Sequence, residues 1–182
     1  MKAQPKIVLG VTGSIAAYKA ADLTSQLAKA DCDVRVVLTS DAQKFITPLA
    51  FKTLSRNPVM TDLYDEEHGW KPAHIRLADE ADVFLIAPAT ANILAKLAHG
   101  IADDALTCIA LALNAKARIL IAPAMNGKMW NHAATQHNVS TLKSRGVEFI
   151  GPEDGMLSCG YEGLGRLWPV DEIAKRTLAL LS

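Results

Sequence analysis

Two side chains in the sequence have the chemistry needed to transfer a proton. His74 lies at the start of a short predicted helix, residues 75–80, where the helix dipole favours a neutral imidazole that could act as a base. Cys159 lies in a segment with four glycines, residues 155–166, which could close over a ligand and present the thiol as a proton donor. A structural histidine and a half-buried loop thiol are the simpler alternatives, and both stay open at this point.

Groups that could bind a ligand follow two continuous apolar runs. Residues 87–92 and 122–126 each combine alanines and a proline with a side-chain amide. Because ligands bind at the carboxyl ends of strands in open α/β sheets, these are candidate binding turns. Thr90 and Asn92 could contact a phosphate or a ring edge, and the small alanines leave room for a planar ring. Helix caps made by Thr and Asn would explain each turn taken singly.

The turn after the first apolar run, residues 10–16, is a candidate phosphate site. Gly13 and Ser14 allow a ligand to approach the backbone and the N–H groups of the next helix. The spacing is not GxGxxG, and the second apolar run ends in Thr39 and Ser40 instead of an acidic residue that could bind a ribose. The pattern therefore favours a mononucleotide over NAD. A tight turn with an N-cap would account for the same residues.

Continuous apolar runs alternate with amphipathic segments along the chain, which predicts an α/β fold with a parallel sheet covered by helices on both faces. We expect one domain over residues 1–182, with irregular, functional segments at 55–73 and 151–169. The predicted strands lie at 6–9, 34–38, 83–88, 118–123 and 147–150, and the longer helices lie at 14–30, 91–100, 103–115, 131–145 and 170–181.

The composition favours a small-molecule ligand. The chain has 19 basic and 19 acidic residues and no long basic tract, so we expect neither nucleic acid nor an anionic membrane as a partner. No apolar stretch reaches the ~18 residues of a spanning helix, and no signal peptide is evident, so we expect a cytoplasmic protein. The three cysteines are far apart, and no motif predicts a metal site.

Four stretches in a fixed order resemble the flavin-dependent cysteine decarboxylases. They are GSIAAYK (13–19), HIRLADEADVFLIAPATAN (74–92), APAMNGKMW (122–130) and the glycine-rich loop around Cys159, at about 153–167. The resemblance implies a Rossmann-like (flavodoxin-like) three-layer fold that forms one FMN-binding decarboxylase domain, with this last loop as a clamp over the substrate. It also implies that the chain is either a free-standing enzyme or the first half of one that also ligates phosphopantothenate to cysteine.

The resemblance assigns a role to each matching residue. It implies a catalytic histidine at His74, a proton-donating cysteine at Cys159 and an asparagine that holds the substrate carboxylate at Asn126, with Met156 and Ser158 beside the substrate. The implied FMN-binding residues are Gly13, Ser14, Ile15, Thr39, Ser40, Asp41, Thr90, Ala91, Asn92, Ile93 and Ala124. Lys128 and Arg166 are candidates for the substrate phosphate by charge and position alone.

The implied reaction is FMN-dependent decarboxylation of 4'-phosphopantothenoylcysteine to 4'-phosphopantetheine in coenzyme A biosynthesis, through a thioaldehyde and an ene-thiolate. The resemblance also implies a homotrimer or dodecamer with flavin at subunit contacts. Decarboxylases of peptide C-terminal cysteines and flavin prenyltransferases are alternatives, but they do not share the Cys-Gly loop. A non-catalytic flavin-binding protein is the remaining alternative, and it would not need His74, Asn126 and Cys159 together.

Overall fold

A parallel sheet forms the middle layer of the structure, a computed structural model that describes residues 4–64, 72–156, 160 and 162–181. Six strands make up this sheet: β1 (Lys6–Val11), β2 (Asp33–Leu38), β3 (Val59–Met60), β4 (Val83–Ala89), β5 (Arg118–Pro123) and β6 (Glu148–Phe149). Their order is β3-β2-β1-β4-β5-β6, and every neighbouring pair is parallel. This Rossmann-like order reverses direction between β1 and β4, which creates a crevice at the carboxyl ends of those strands.

Helices cover both faces of the sheet, as the sequence predicts. The helices are α1 (Lys19–Lys29), which continues a 3-10 turn at Ile15–Tyr18, α2 (Pro48–Ser55), α3 (Ala73–Glu80), α4 (Ala91–His99), α5 (Ala105–Ala112), α6 (Gly127–Trp130), α7 (Ala133–Ser144) and α8 (Val170–Ala179). Helices α1, α2 and α8 share one apolar core with the sheet, and α3, α4, α5 and α7 share the other. The expected three-layer α/β fold is therefore confirmed.

The strands have no polar alternation because both of their faces are buried. In β1, Ile7 and Leu9 pack into the first core, while Val8, which lies between them, packs into the second. All seven residues of β4 are buried. Gly10 makes room for α5 on β1, since a Cβ there would lie 2.4 Å from Leu106 Cδ1 and Leu106 would have to shift. Helix and strand can therefore approach closely near the carboxyl end of β1.

The expectation that residues 151–169 are irregular is wrong. They contain an antiparallel hairpin made of β7 (Glu153–Met156) and β8 (Glu162–Arg166). Its strands are rich in glycine and charge and lack an apolar face of their own, so the sequence carries no strand signal. The hairpin is held instead by tertiary contact, because the backbone N–H of Met125 donates to the carbonyl of Gly165 at 3.0 Å.

Three further helices and strands were not anticipated, namely α2, β3 and the short α6. Helix α2 and the edge strand β3 both follow β2 in the chain. Strand β3 lies within residues 55–73, which the sequence predicts to be irregular. A strand of two residues is too short to show a pattern. The helix expected from residue 131 begins at Ala133, since His132 caps it by accepting the N–H of Ala134 at 3.2 Å through Nδ1.

One carboxylate joins the last strand of the sheet to the last helix. Glu148 on β6 accepts hydrogen bonds from Arg176 on α8 and, at 3.0 Å, from Arg118 on β5. The hydrogen bond from Arg176 is the main cause of a lowered pKa for Glu148, although burial opposes it. This network anchors α8 at the β6 edge of the sheet. None of the helices that the structure describes is long and apolar enough to cross a membrane.

Candidate active site

A cavity of about 650 Å³ opens at the carboxyl edge of the sheet, where the strand order reverses. Its walls come from the turn and helix start after β1, from Thr90 after β4, from residues 124–126 after β5, and from residues 165–167 at the end of the hairpin. Ligand pockets in proteins commonly enclose ~300–1,000 Å³, so the space suits a cofactor or a substrate of ordinary size. The crevice expected from the strand order is therefore a real cavity.

The buried side chain of Thr12 ties the two strand ends on either side of the reversal. Its hydroxyl donates to the carbonyl of Pro88 at 2.8 Å and accepts from the backbone N–H of Thr90 at 3.1 Å. The backbone N–H of Thr12 also donates to Pro88 O, at 3.3 Å. The turn after β1 and the turn after β4 are therefore fixed relative to one another by one buried residue.

Backbone hydrogen bonds continue this connection across the edge of the sheet. The N–H of Thr39 donates to Val11 O at 3.1 Å, so the end of β2 is tied to the end of β1. The N–H of Ala124 donates to Ala89 O at 3.0 Å, which ties the ends of β5 and β4. With the bond from Met125 to Gly165 described above, four strand ends and the hairpin share one frame.

Two glycines are needed where this frame is tightest. A Cβ on Gly165 would lie 2.2 Å from the carbonyl oxygen of Met125, so no other residue can take this place while the hairpin stays docked. A Cβ on Gly13 would lie 2.4 Å from Cβ of Asp41. The turn after β1 and the turn after β2 therefore touch directly at Gly13.

Three polar side chains of the cavity also cap helices. The Oγ of Ser14 accepts the N–H of Ala16 at 3.3 Å, and the Oγ1 of Thr90 accepts the N–H of Ile93 at 3.4 Å. The Oδ1 of Asn126 accepts the N–H of Lys128 at 2.9 Å. The capping alternative is therefore true of all three residues. It does not exclude ligand binding, because all three line the cavity.

The cavity is positively charged. Among the described residues that line it, Lys19 and Arg166 are charged, and none is an Asp or a Glu. Lys19 forms no ion pair with another residue in the described ranges, and the ion pair of Arg166 is a long one, 3.7 Å to Glu153. Apart from Tyr18 and the three polar residues that cap helices, the remaining lining is small, apolar or sulfur-containing, with Ala16 and three methionines. Such a site suits a ligand that combines anionic groups with a ring or an alkyl chain.

The structure brings some of the sequence-predicted residues together. Eight of them line the cavity: Gly13, Ser14, Ile15, Thr90, Ala124, Asn126, Met156 and Arg166. Thr39, Ser40 and Asp41 lie in the neighbouring turn but do not line it. Asp41 faces Lys44 at 2.6 Å, and that hydrogen bond lowers the pKa of the Asp41 carboxyl.

The first turn of α4 supplies fewer side chains than expected. Ile93 packs into the core shared with α5 and α7, so its side chain is turned away from the cavity, and its N–H is used by the cap. Ala91 is half-buried and Asn92 is exposed, and neither lines the cavity. Thr90 is therefore the residue of this turn whose side chain would contact a ligand in the cavity. Roles in FMN binding for residues 91–93 stay predictions.

Of the two predicted catalytic residues, His74 is described by the structure and does not line the cavity. His74 is the second residue of α3, and its Nδ1 is buried with no hydrogen-bond partner among the described residues. An imidazole nitrogen held in that way is available to a ligand atom that reaches it. Ser158 and Cys159 lie outside the described residues, so their predicted roles are untested. The described part of the chain contains no group of three or more metal-binding side chains.

Sequence reasoning missed Thr12 and Lys19. Thr12 is a polar residue at the end of a continuous apolar strand, and that break in the pattern was the available signal. Lys19 belongs to a stretch that carried the family resemblance. Its charge matters in the cavity because none of the described lining residues is acidic. The sequence does not show which residues line the cavity, so only the folded structure reveals this.

The chain belongs to the flavoprotein family, whose model matches residues 1–182. It is 47% identical over 171 residues to the probable phosphopantothenoylcysteine decarboxylase of Streptococcus mutans, which covers 94% of this chain and 96% of that protein. It is 48% identical over 169 residues to the coenzyme A biosynthesis bifunctional protein CoaBC of Bacillus subtilis. That match covers 93% of this chain but only 41% of the longer protein.

Solved structures give the same relationship. A cysteine-to-serine mutant of PPC decarboxylase complexed with pantothenoylaminoethenethiol matches with a TM-score of 0.88 and 31% identity, covering 97% of this chain and 98% of the other. The FMN-dependent cysteine decarboxylase SpaF matches with a TM-score of 0.83 and 33% identity, and 99% of each chain is covered. The fold of this chain is therefore that of FMN-dependent cysteine decarboxylases.

Replacing Thr12 by valine tests the frame of the cavity. Thr12→Val keeps the shape of the side chain but leaves Pro88 O and the N–H of Thr90 without their buried hydroxyl partner. We expect a loss of about 1–3 kcal/mol in the free energy of unfolding, measured by urea denaturation. Thr24→Val is the matched control, because the buried hydroxyl of Thr24 donates only to a carbonyl of its own helix, Ala20 O at 2.8 Å. Equal losses in the two variants would contradict a special role for Thr12.

Proposed function

We propose that this chain is an FMN-dependent decarboxylase that converts 4'-phosphopantothenoylcysteine to 4'-phosphopantetheine and carbon dioxide, a step of coenzyme A biosynthesis. The observation that carries the proposal is the cavity itself. It joins the capped turns at Ser14 and Thr90 to the amide of Asn126 in one positively charged space. The S. mutans relative, of nearly the same length as this chain, is named for this activity.

The residues that line the cavity fit a flavin mononucleotide. Ser14, Thr90 and the cation of Lys19 provide the donors and the charge that a phosphate needs. Ala16 and Ala124 are small, so a flat ring can approach the backbone beside them. Bound there, FMN would supply a reversible two-electron acceptor for the cysteine side chain, so that the reaction would have no net redox change.

Asn126 holds the carboxylate that is lost in the reaction. Its Oδ1 accepts the N–H of Lys128, which fixes the orientation of the amide, and an amide donates to an anion through its NH₂ group. A neutral donor orients the carboxylate without strongly stabilising its charge. This matters because that charge leaves the carboxylate in the transition state. The amide is rigidly placed, since it caps α6 next to the anchor between Met125 and Gly165.

His74 and Cys159 carry the proton transfers in this proposal. The buried Nδ1 of His74, without a partner among the described residues, supports a role in orienting or deprotonating the substrate. Cys159 follows β7, whose last residue, Met156, lines the cavity. We propose that its thiol protonates the ene-thiolate that remains after carbon dioxide has left. We place the protein in the cytoplasm, because both the free thiols at Cys32 and Cys108 and the proposed thiol substrate persist there.

The function is tested with the purified holoprotein. We expect a yellow protein with an oxidised-flavin spectrum, release of carbon dioxide from 4'-phosphopantothenoylcysteine, and 4'-phosphopantetheine identified by mass spectrometry. His74→Asn should bind FMN equally well but lose at least ~100-fold in kcat, as expected for a lost acid–base group. A protein that takes up no FMN, or one that decarboxylates only a peptide with a C-terminal cysteine, would refute the proposal.

A change of Asn126 to aspartate separates substrate binding from folding. Aspartate caps a helix as well as asparagine does, so Asn126→Asp should keep the cap on Lys128, the stability and the affinity for FMN. Its charge should repel the substrate carboxylate and lower kcat/KM by about 100-fold. The control is Asn131→Asp, at the exposed end of α6. Asn138 is unsuitable as a control because it is buried. Unchanged kinetics in Asn126→Asp would contradict the assignment.

We also propose that the protein assembles as a homotrimer, or as a dodecamer built from four such trimers, with flavin at subunit contacts. The support is the rim of the cavity, where four apolar side chains are about half exposed or more: Ile15 (55%), Tyr18 (58%), Met129 (49%) and Met156 (60%). An apolar rim around a ligand site is a surface that a second copy of the chain would cover. The partner copy would then close the cavity and exclude water from the flavin.

The assembly is tested by light scattering on the holoprotein, with an expected mass of three or twelve chains. Tyr18→Glu should shift the mass towards that of a single chain, because it places a charge in the contact. Leu111→Glu is the matched control, since Leu111 is as exposed as Tyr18 (61%) but does not line the cavity. A single-chain mass for the unmodified holoprotein would rule out the proposed assembly.

A further inference from the structure

The charge of the cavity leaves one cation without an assigned ligand group. The proposed function brings two phosphates into the site, one on FMN and one on the substrate, together with the carboxylate held by Asn126. Lys19 directly follows the turn that is proposed to bind the flavin phosphate. Arg166 comes from a different part of the chain, the hairpin strand β8, and lines the same cavity. Once the flavin phosphate and the carboxylate are assigned, the substrate phosphate is the anion that remains for Arg166.

Arg166 is held in place by the residue before it. Gly165 accepts the N–H of Met125 at 3.0 Å, and Met125 precedes Asn126. The backbone that carries the guanidinium is therefore fixed relative to the amide that is proposed to hold the carboxylate. On the other strand of the hairpin, a Cβ at Gly155 would lie 2.5 Å from Nη1 of Arg166, so the absence of a side chain there makes room for the guanidinium.

The guanidinium is not saturated by the ion pair it makes. Arg166 Nη2 lies 3.7 Å from Glu153 Oε2, which is longer than a hydrogen bond, and the side chains are 42% and 35% exposed. An exposed pair of this kind contributes little to stability. A phosphate offers three oxygens to the planar fork of an arginine and binds it through two parallel hydrogen bonds. The pair with Glu153 can therefore hold the arginine ready and yield to a phosphate.

The chemistry of the reaction decides which substrate anion Arg166 takes. An arginine on the carboxylate would stabilise the charge that must leave it and would slow decarboxylation. The phosphate keeps its charge throughout, so a cation there strengthens binding without raising the barrier. Lys128, the other candidate by charge, is exposed and does not line the cavity. Resting on the proposed function, we infer that Arg166 binds the substrate phosphate and makes the enzyme prefer the phosphorylated substrate.

The test compares 4'-phosphopantothenoylcysteine with pantothenoylcysteine, which lacks the phosphate. In Arg166→Gln, KM for the phosphorylated compound should rise about 10- to 100-fold with little change in kcat, as expected for the loss of a charge-assisted hydrogen-bonded pair. The kcat/KM for the unphosphorylated compound should stay within about threefold of the unmodified value. Arg166→Lys should recover part of the preference, and FMN affinity, measured by flavin fluorescence, should not change.

Two further variants sharpen the result. Lys128→Gln tests the rival cation, and Lys175→Gln on α8 removes a charge from an exposed ion pair far along the chain; neither should alter the preference. Equal losses on both compounds in Arg166→Gln, a loss of FMN affinity, or a loss of preference in Lys128→Gln would each overturn the inference. Calorimetric affinities in a His74→Asn background measure the same preference without turnover. An inactive unmodified enzyme would therefore contradict the proposed function and still leave the role of Arg166 decided.

Discussion

The site depends on the two hydrogen bonds made by the buried hydroxyl of Thr12. Where the strand order reverses, the connections after β1 and β4 lead to opposite faces of the sheet, and the ladder between these strands ends at Gly10 and Ile86, before the two walls of the crevice. Thr12 supplies both a donor, to Pro88, and an acceptor, for Thr90, within a core that excludes water. Its two hydrogen bonds set the distance between the turn that begins α1 and the turn that begins α4, and therefore the width of the cavity.

The polar residues of the cavity likewise stabilise the fold and face the ligand. Ser14, Thr90 and Asn126 each accept a backbone N–H at the start of a helix, an interaction that typically contributes about 0.5–2 kcal/mol to stability. A side chain held in this way has its rotamer fixed before any ligand arrives. Binding then costs less conformational entropy than it would with free side chains. Folding and ligand recognition therefore favour the same residues at the same positions.

How much the sequence predicts depends on where each element finds its stability. Strands β1, β2, β4 and β5 are buried on both faces, so they appear in the sequence as continuous apolar runs and could be predicted. The hairpin was not, because residues such as Gly165 in β8 are chosen for contact with Met125 and not for an apolar pattern. Thr12 was overlooked for a related reason: its partners lie 76 and 78 residues away, across the sheet. Local sequence reports burial well and long-range hydrogen bonds poorly.

The distribution of charge in the cavity follows from what decarboxylation does to a substrate. Of the anionic groups that the proposed ligands bring, the phosphates keep their charge, while the carboxylate transfers its electrons to the substrate carbon as carbon dioxide departs. Cations near a phosphate lower the energy of ground state and transition state alike, whereas a cation on the carboxylate would lower mainly the ground state. The cavity has Lys19 and Arg166 as its cations and a neutral amide at Asn126. Strong binding is thereby separated from the reacting centre, where electrostatic stabilisation of the ground state would oppose the reaction.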